Sequence, residues 1–79
     1  MQNALMSKES QLLKSFGRRV RDLRQSKGFS QQSFAEECGL DRTYISGIER
    51  GKRNISLENV AALARALDVT ISDLLEGID

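Results

Sequence analysis

The 79-residue sequence has no histidine, no proline and no tryptophan, and only one cysteine and one tyrosine. One thiol cannot make an intrachain disulfide. Without histidine, neither a Cys/His zinc site nor a His-based nucleophile can be assembled. No metal, cofactor or catalytic group is therefore expected, and Cys38 reads as a small buried hydrophobe. No apolar run approaches the ~18–20 residues of a membrane span, and no secretory leader is visible, so the expected location is the cytoplasm with no membrane partner. With no low-complexity tract or repeat, and with 39% hydrophobic and 29% charged residues, one soluble globular domain is expected.

The net charge of +1 is uninformative, but its distribution is not. Residues 1–29 carry seven basic and two acidic side chains, residues 30–54 four of each, and residues 55–79 one basic and five acidic. A basic front and an acidic tail suit a molecule that turns one end toward a polyanion.

Apolar residues recur at helical spacing, and no stretch alternates with period two long enough for a sheet. Residues 1–7 show no amphipathic period and read as a flexible N-terminal arm, with a single domain over 8–79. The first helix is expected from Lys8 to Ser26, burying Leu12, Phe16, Val20 and Leu23. Ser30 caps a second over Gln31–Cys38, with Phe34, Ala35 and Cys38 inward, and Gly39 stops it. Asp41 caps a third, Arg42 to about Arg50, with Ile45 and Ile48 inward. Ser56 caps a fourth whose apolar side is Leu57, Val60, Leu63, Ala64 and Leu67. Thr70 caps a short fifth containing Ile71, Leu74 and Leu75. The expected fold is all-α, a compact five-helix bundle.

Residues 31–50, QQSFAEECGLDRTYISGIER, have a further property. Ala35 lets one helix approach closely, Gly39 four positions later supplies a left-handed turn, and Ile45 and Ile48 pin the next helix against its partner. That spacing, between two capped helices, is a helix-turn-helix.

From Arg18 to Leu75 the chain resembles the Cro/lambda-repressor-type helix-turn-helix regulators, through "SQQSFAEECGL" and "ISGIERGKR". Within them, "LDRTYISGIERGKRN" is most similar to controller proteins of restriction–modification systems. The resemblance implies a lambda-repressor-like DNA-binding domain and a transcription regulator bound as a homodimer to a two-fold operator in double-stranded DNA. It makes the third helix the reader in the major groove. Arg42 then suits guanine O6 and N7, Thr43 a thymine methyl or a phosphate, and Ser46 a base or phosphate. Tyr44 either joins the base-reading set or packs as a rim aromatic over Leu40. Gly47 falls where some relatives carry a long reading side chain, which shifts weight onto DNA shape.

The resemblance places phosphate contacts at Gln31, at the positive end of its helix, and at Lys52, Arg53, Asn54 and Ser56. It pairs Glu49 with Arg24 as a structural ion pair. Glu36 and Glu37 project about 100° apart on a helix, so they cannot share a substrate; as a solvated acidic face they could touch RNA polymerase. Ile71, Leu74, Leu75 and Ile78 are the candidate dimer interface. The rival reading is an antitoxin-like interaction module with secondary DNA binding, which usually carries an extra toxin-engaging segment, for which the about seven uncommitted residues at the start and the four after Leu75 leave little room.

Overall fold

Four helices begin at a side chain that replaces a missing backbone acceptor. Ser30 takes the N–H of Ser33, Asp41 that of Thr43, Ser56 that of Asn59 and Thr70 that of Asp73. Each such cap satisfies a donor that the first helical turn would leave orphaned. In the computed structural model, which describes residues 2–78 and the side chains from residue 10 to 78, the elements are α1 (Gln2–Ser26), α2 (Gln31–Cys38), α3 (Arg42–Glu49), α4 (Leu57–Leu67) and α5 (Ile71–Leu74). No strand occurs among the described residues.

The turn that defines the motif is made by Gly39. Its φ of 72° is left-handed, and the chain reverses there while Leu40 N–H reaches back to the Ala35 carbonyl at 2.9 Å. A side chain would be strained in that conformation. The core lies where the helices converge. Phe16 and Val20 of α1 meet Phe34 and Ala35 of α2, Ile45 and Ile48 of α3, and Val60, Leu63, Ala64 and Leu67 of α4, with Leu74 closing one end. Burying each large member is worth about 1.5–3 kcal/mol.

Arg19 fastens the short last helix. Its Nη2 donates to the Asp73 carbonyl at 2.6 Å and its Nε to the Leu74 carbonyl at 3.3 Å. A cation placed on the free carbonyls of a helix end satisfies both hydrogen bonding and the dipole.

The structure corrects the expected start of α1 and the placement of three leucines. Helix α1 starts at Gln2 rather than Lys8, so residues 2–7 of the expected arm are helical, while Met1 lies outside the described residues. That segment contains no glycine or proline, and Ala4, Leu5 and Met6 are good helix formers, so the lack of an amphipathic period did not end the helix. Leu12 is 44% exposed and Leu57 73%; both sit at helix turns that the neighbouring helices do not cover. Leu74, expected on a subunit interface, is fully enclosed in the chain's own core. Helix α3 ends at Glu49, with Arg50 as its C-cap.

Candidate nucleic-acid interface

Helix α3 has two unlike sides. Ile45 and Ile48 are locked into the core, while the opposite arc repeats at four-residue spacing through Arg42, Ser46 and Arg50, with Thr43 beside it. Arg42, Thr43 and Arg50 are exposed and Ser46 is half-buried. Asp41 anchors the start of this helix by accepting the Thr43 N–H at 3.1 Å and the Thr43 hydroxyl. Those bonds, the hydroxyl first, hold the Asp41 carboxyl below its usual range. The stability this cap contributes is thus present above the ordinary carboxylate range and is lost as pH falls below that range through the lowered value. Arg50 was missed by the sequence reading. Its signal was the i+4 step from Ser46.

One flank of the reading arc is built around a buried ion pair. Arg24 is 7% exposed, and its Nε and Nη2 donate to the two Glu49 carboxylate oxygens at 2.6 and 3.0 Å. Its Nη1 also donates to the Phe29 carbonyl at 2.9 Å. Gln31 Nε2 adds a third bond to Glu49 at 3.0 Å. The end of α1, the start of α2 and the end of α3 are therefore joined by one carboxylate. Above it opens a polar cleft of about 240 Å³, lined by Arg21, Arg24, Gln31, Ser46, Glu49 and Arg50. At the adjacent start of α2, Ser30 takes up the N–H groups of Ser33 and Phe34, which leaves those of Gln31 and Gln32 for an outside acceptor. Arg21, like Arg50, was absent from the sequence reading.

The other flank is the loop after α3. Lys52, Arg53 and Asn54 are all exposed. The Arg53 guanidinium carbon lies 5.3 Å from the Tyr44 ring centroid. Tyr44 is half-buried and packs against the core; its hydroxyl donates to the Asn54 carbonyl at 3.5 Å and accepts from Asn59 Nδ2 at 3.1 Å. The ring thus braces α3 against the start of α4 as the structure stands. Ser56 spends its hydroxyl capping α4 through Asn59 N–H at 3.1 Å. Asn54 borders an apolar groove of about 430 Å³, with Leu12, Phe16, Ile55, Leu75 and Ile78. Ile71 lies exposed on α5.

Glu36 and Glu37 both face solvent, and Gln32 holds Glu36 at 3.0 Å. Cys38 is half-buried, and burial, with the Glu37 charge adding to it, pushes its thiol up to about 11. At neutral pH it is a protonated, poorly nucleophilic group. Among the described residues no cluster of metal-ligating side chains occurs, and no helix is long and apolar enough to cross a membrane.

Two short helices, α2 and α3, packed together across the Gly39 turn, with a capped polar reading arc and cationic flanks, define a helix-turn-helix DNA-binding domain. The chain belongs to the helix-turn-helix family, whose model matches residues 20–74. It is 53% identical over 62 residues to Control protein C.BamHI of Bacillus amyloliquefaciens, covering 77% of this chain and 76% of that one. It superposes on the restriction-modification controller protein C.AhdI from Aeromonas hydrophila with a TM-score of 0.77 and 52% identity, over 78% of this chain and 94% of that one. With 34% identity and a TM-score of 0.77 it also matches the restriction-modification controller protein C.Esp1396I, crystallised as a tetramer with its natural 35 base-pair operator, over 85% of this chain and 88% of that one.

Proposed function

We propose that the chain is a sequence-specific transcription regulator of the restriction–modification controller type, acting in the cytoplasm as a homodimer on a two-fold operator. The observation that carries this reading is the division of α3: one side is pinned by Ile45 and Ile48, and the other presents the exposed Arg42 and Thr43, the half-buried Ser46 and, at the C-cap, the exposed Arg50. A helix held so firmly on one side and so rich in donors on the other suits insertion into a major groove. Arg42, in the first turn, is the residue assigned to guanine; Thr43 and Ser46 complete the base-reading set. Tyr44 is assigned to the reader's edge. Backbone phosphates are assigned to the start of α2 at Gln31, with Arg21 and Arg50 beside it, and to Lys52, Arg53, Asn54 and the start of α4 at Ser56. Glu36 and Glu37, both exposed, are assigned to a contact with RNA polymerase.

The test is selection of bound duplexes from a random-sequence DNA pool. Wild-type protein should enrich an inverted repeat whose half-sites lie about one helical turn, ~34 Å, apart. Arg42→Lys should keep most random-DNA affinity yet lose about 1–3 kcal/mol on the selected site, because lysine cannot make the paired bonds to guanine. Enrichment of no sequence, or of a lone half-site, would remove the two-fold operator from this reading.

For assembly, Leu12, Leu75 and Ile78 at the open apolar groove, together with the exposed Ile71, offer the contact surface; Leu74 does not, being internal. Leu75→Glu should therefore give folded monomers by sedimentation, with operator affinity collapsing because each monomer carries one reader. Leu74→Glu should instead abolish the helical signal in circular dichroism, since it buries a charge in the core. A dimer that survives Leu75→Glu would place the interface elsewhere.

A further inference from the structure

Gly47 is buried, yet the apolar face of α3 is made by its neighbours Ile45 and Ile48. It is not among the residues with positive φ, so a left-handed turn does not require it, and glycine inside a helix is unfavourable relative to alanine. What lies against it is Arg53. A Cβ at position 47 would stand 2.7 Å from Arg53 Cγ, 3.4 Å from Nε and 3.6 Å from Cδ, and these are its three nearest atoms. The arginine stem therefore runs flat along α3 where a side chain would otherwise project. Its head ends 5.3 Å from the Tyr44 ring centroid, a cation–π distance. Tyr44 in turn is fixed by Asn54 and Asn59.

We propose that Gly47 is a positioning residue that acts through Arg53: its missing side chain lets Arg53 lie on the reading helix and stack on Tyr44, so the guanidinium is already in place when a DNA phosphate arrives. The proposal rests on the DNA-binding reading above and names what organises one flank of it. A long arginine left free in the loop would lose its rotamer freedom on binding; one already seated loses less, and the difference appears as affinity. Position 47 can then hold either a side chain of its own or the stem of Arg53, but not both. Because the crowded atoms belong to a flexible side chain and not to backbone, a Cβ at 47 should displace Arg53 and leave the fold standing.

Tyr44 is the only tyrosine and there is no tryptophan, so tyrosine emission and near-ultraviolet dichroism report this ring without DNA. The experiment compares Gly47→Ala, Arg53→Ala and the double variant by that signal and by affinity for the tightest duplex from the selection above. Gly47→Ala should change the Tyr44 signal as Arg53→Ala does, and the double variant should match Arg53→Ala alone. Each single variant should weaken duplex binding about tenfold, the scale of one charge-assisted bond, and the double should also lose about tenfold and not the product. The salt dependence should flatten by ~0.9 in log–log slope for Arg53→Ala, and Gly47→Ala should move it the same way. An unchanged Tyr44 signal in Gly47→Ala, or losses that multiply, would overturn the proposal. If wild-type protein bound no duplex while the Tyr44 signals coupled as described, the DNA reading would fall and the seating of Arg53 by Gly47 would stand.

Discussion

Glu49→Ala is expected to remove about 3–5 kcal/mol of folding stability, because it leaves a buried guanidinium without its counter-charge. A domain of this kind has roughly 5–15 kcal/mol in all, so the variant should lose a large share of its stability. The size follows from what Glu49 does. Its two oxygens take both Arg24 bonds at 2.6 and 3.0 Å and the Gln31 bond at 3.0 Å. Arg24 cannot turn to solvent, since only 7% of it is exposed; after the substitution its one remaining partner is the Phe29 carbonyl. Denaturant unfolding, read as a change in midpoint at constant slope, measures the loss. The double variant Arg24→Met, Glu49→Leu should recover most of it, because exchanging both charges for apolar groups removes the unpaired ion. Recovered stability should not restore DNA binding, since Gln31 would still lack the carboxylate that holds it at the cleft. A Glu49→Ala protein of wild-type stability, deficient only in DNA binding, would make the pair a ligand contact and not a strut.

Much of this architecture could be read from the chain because its signals are local. Ser30, Asp41, Ser56 and Thr70 cap helices within three residues of themselves, and Gly39 makes its turn with its own φ. Such features need no knowledge of neighbours. The Arg24–Glu49 pair is 25 residues apart in sequence and came from the resemblance, since no spacing rule links ends of α1 and α3. Where the reading went astray, the missing fact was tertiary. Leu12, Leu57 and Leu74 all follow the helical period correctly, yet the period cannot say which turns of a helix its neighbours cover. Leu74 went inside because α5 folds back on the bundle with Arg19 holding its last carbonyls, while Leu12 lies at the edge of an open groove. The helical wheel leaves Tyr44 open between reading a base and packing as a rim aromatic; the return of the chain at Asn54 and Asn59 half-buries it. Arg21 belongs to the cleft because α1 packs against α3, a contact that the sequence does not state.

That contact rests on a residue whose role no periodicity suggests, and it yields the second large effect. Gly17→Ala should lower stability by about 2 kcal/mol net, although alanine for glycine within an exposed helix stabilises by about 1 kcal/mol. Gly17 is buried in the middle of α1, where a Cβ would meet the Ile48 carbonyl oxygen first and stand 2.6 Å from the Glu49 carbonyl oxygen. Real Cβ atoms do not come so close, and the crowded atoms are backbone of the reading helix, with no rotamer to relieve the contact. Overpacking of this kind costs about 1–3 kcal/mol and the rigid partner argues for the upper end. Nearby, Gly51 leaves room for the backbone of Lys14, 2.9 Å from where its own Cβ would be. Two glycines, one on each chain segment, thus let α1 and the end of α3 touch backbone to backbone. Pushing them apart at Gly17 would shift α3 and stretch the Arg24–Glu49 bonds beside it. The melting temperature should fall by roughly 8–16 °C for a domain of this size, and DNA affinity should fall with it. A Gly17→Ala protein that melts higher than wild type would mean that helix propensity decides at this position, and that α1 and α3 are not held at backbone contact in solution.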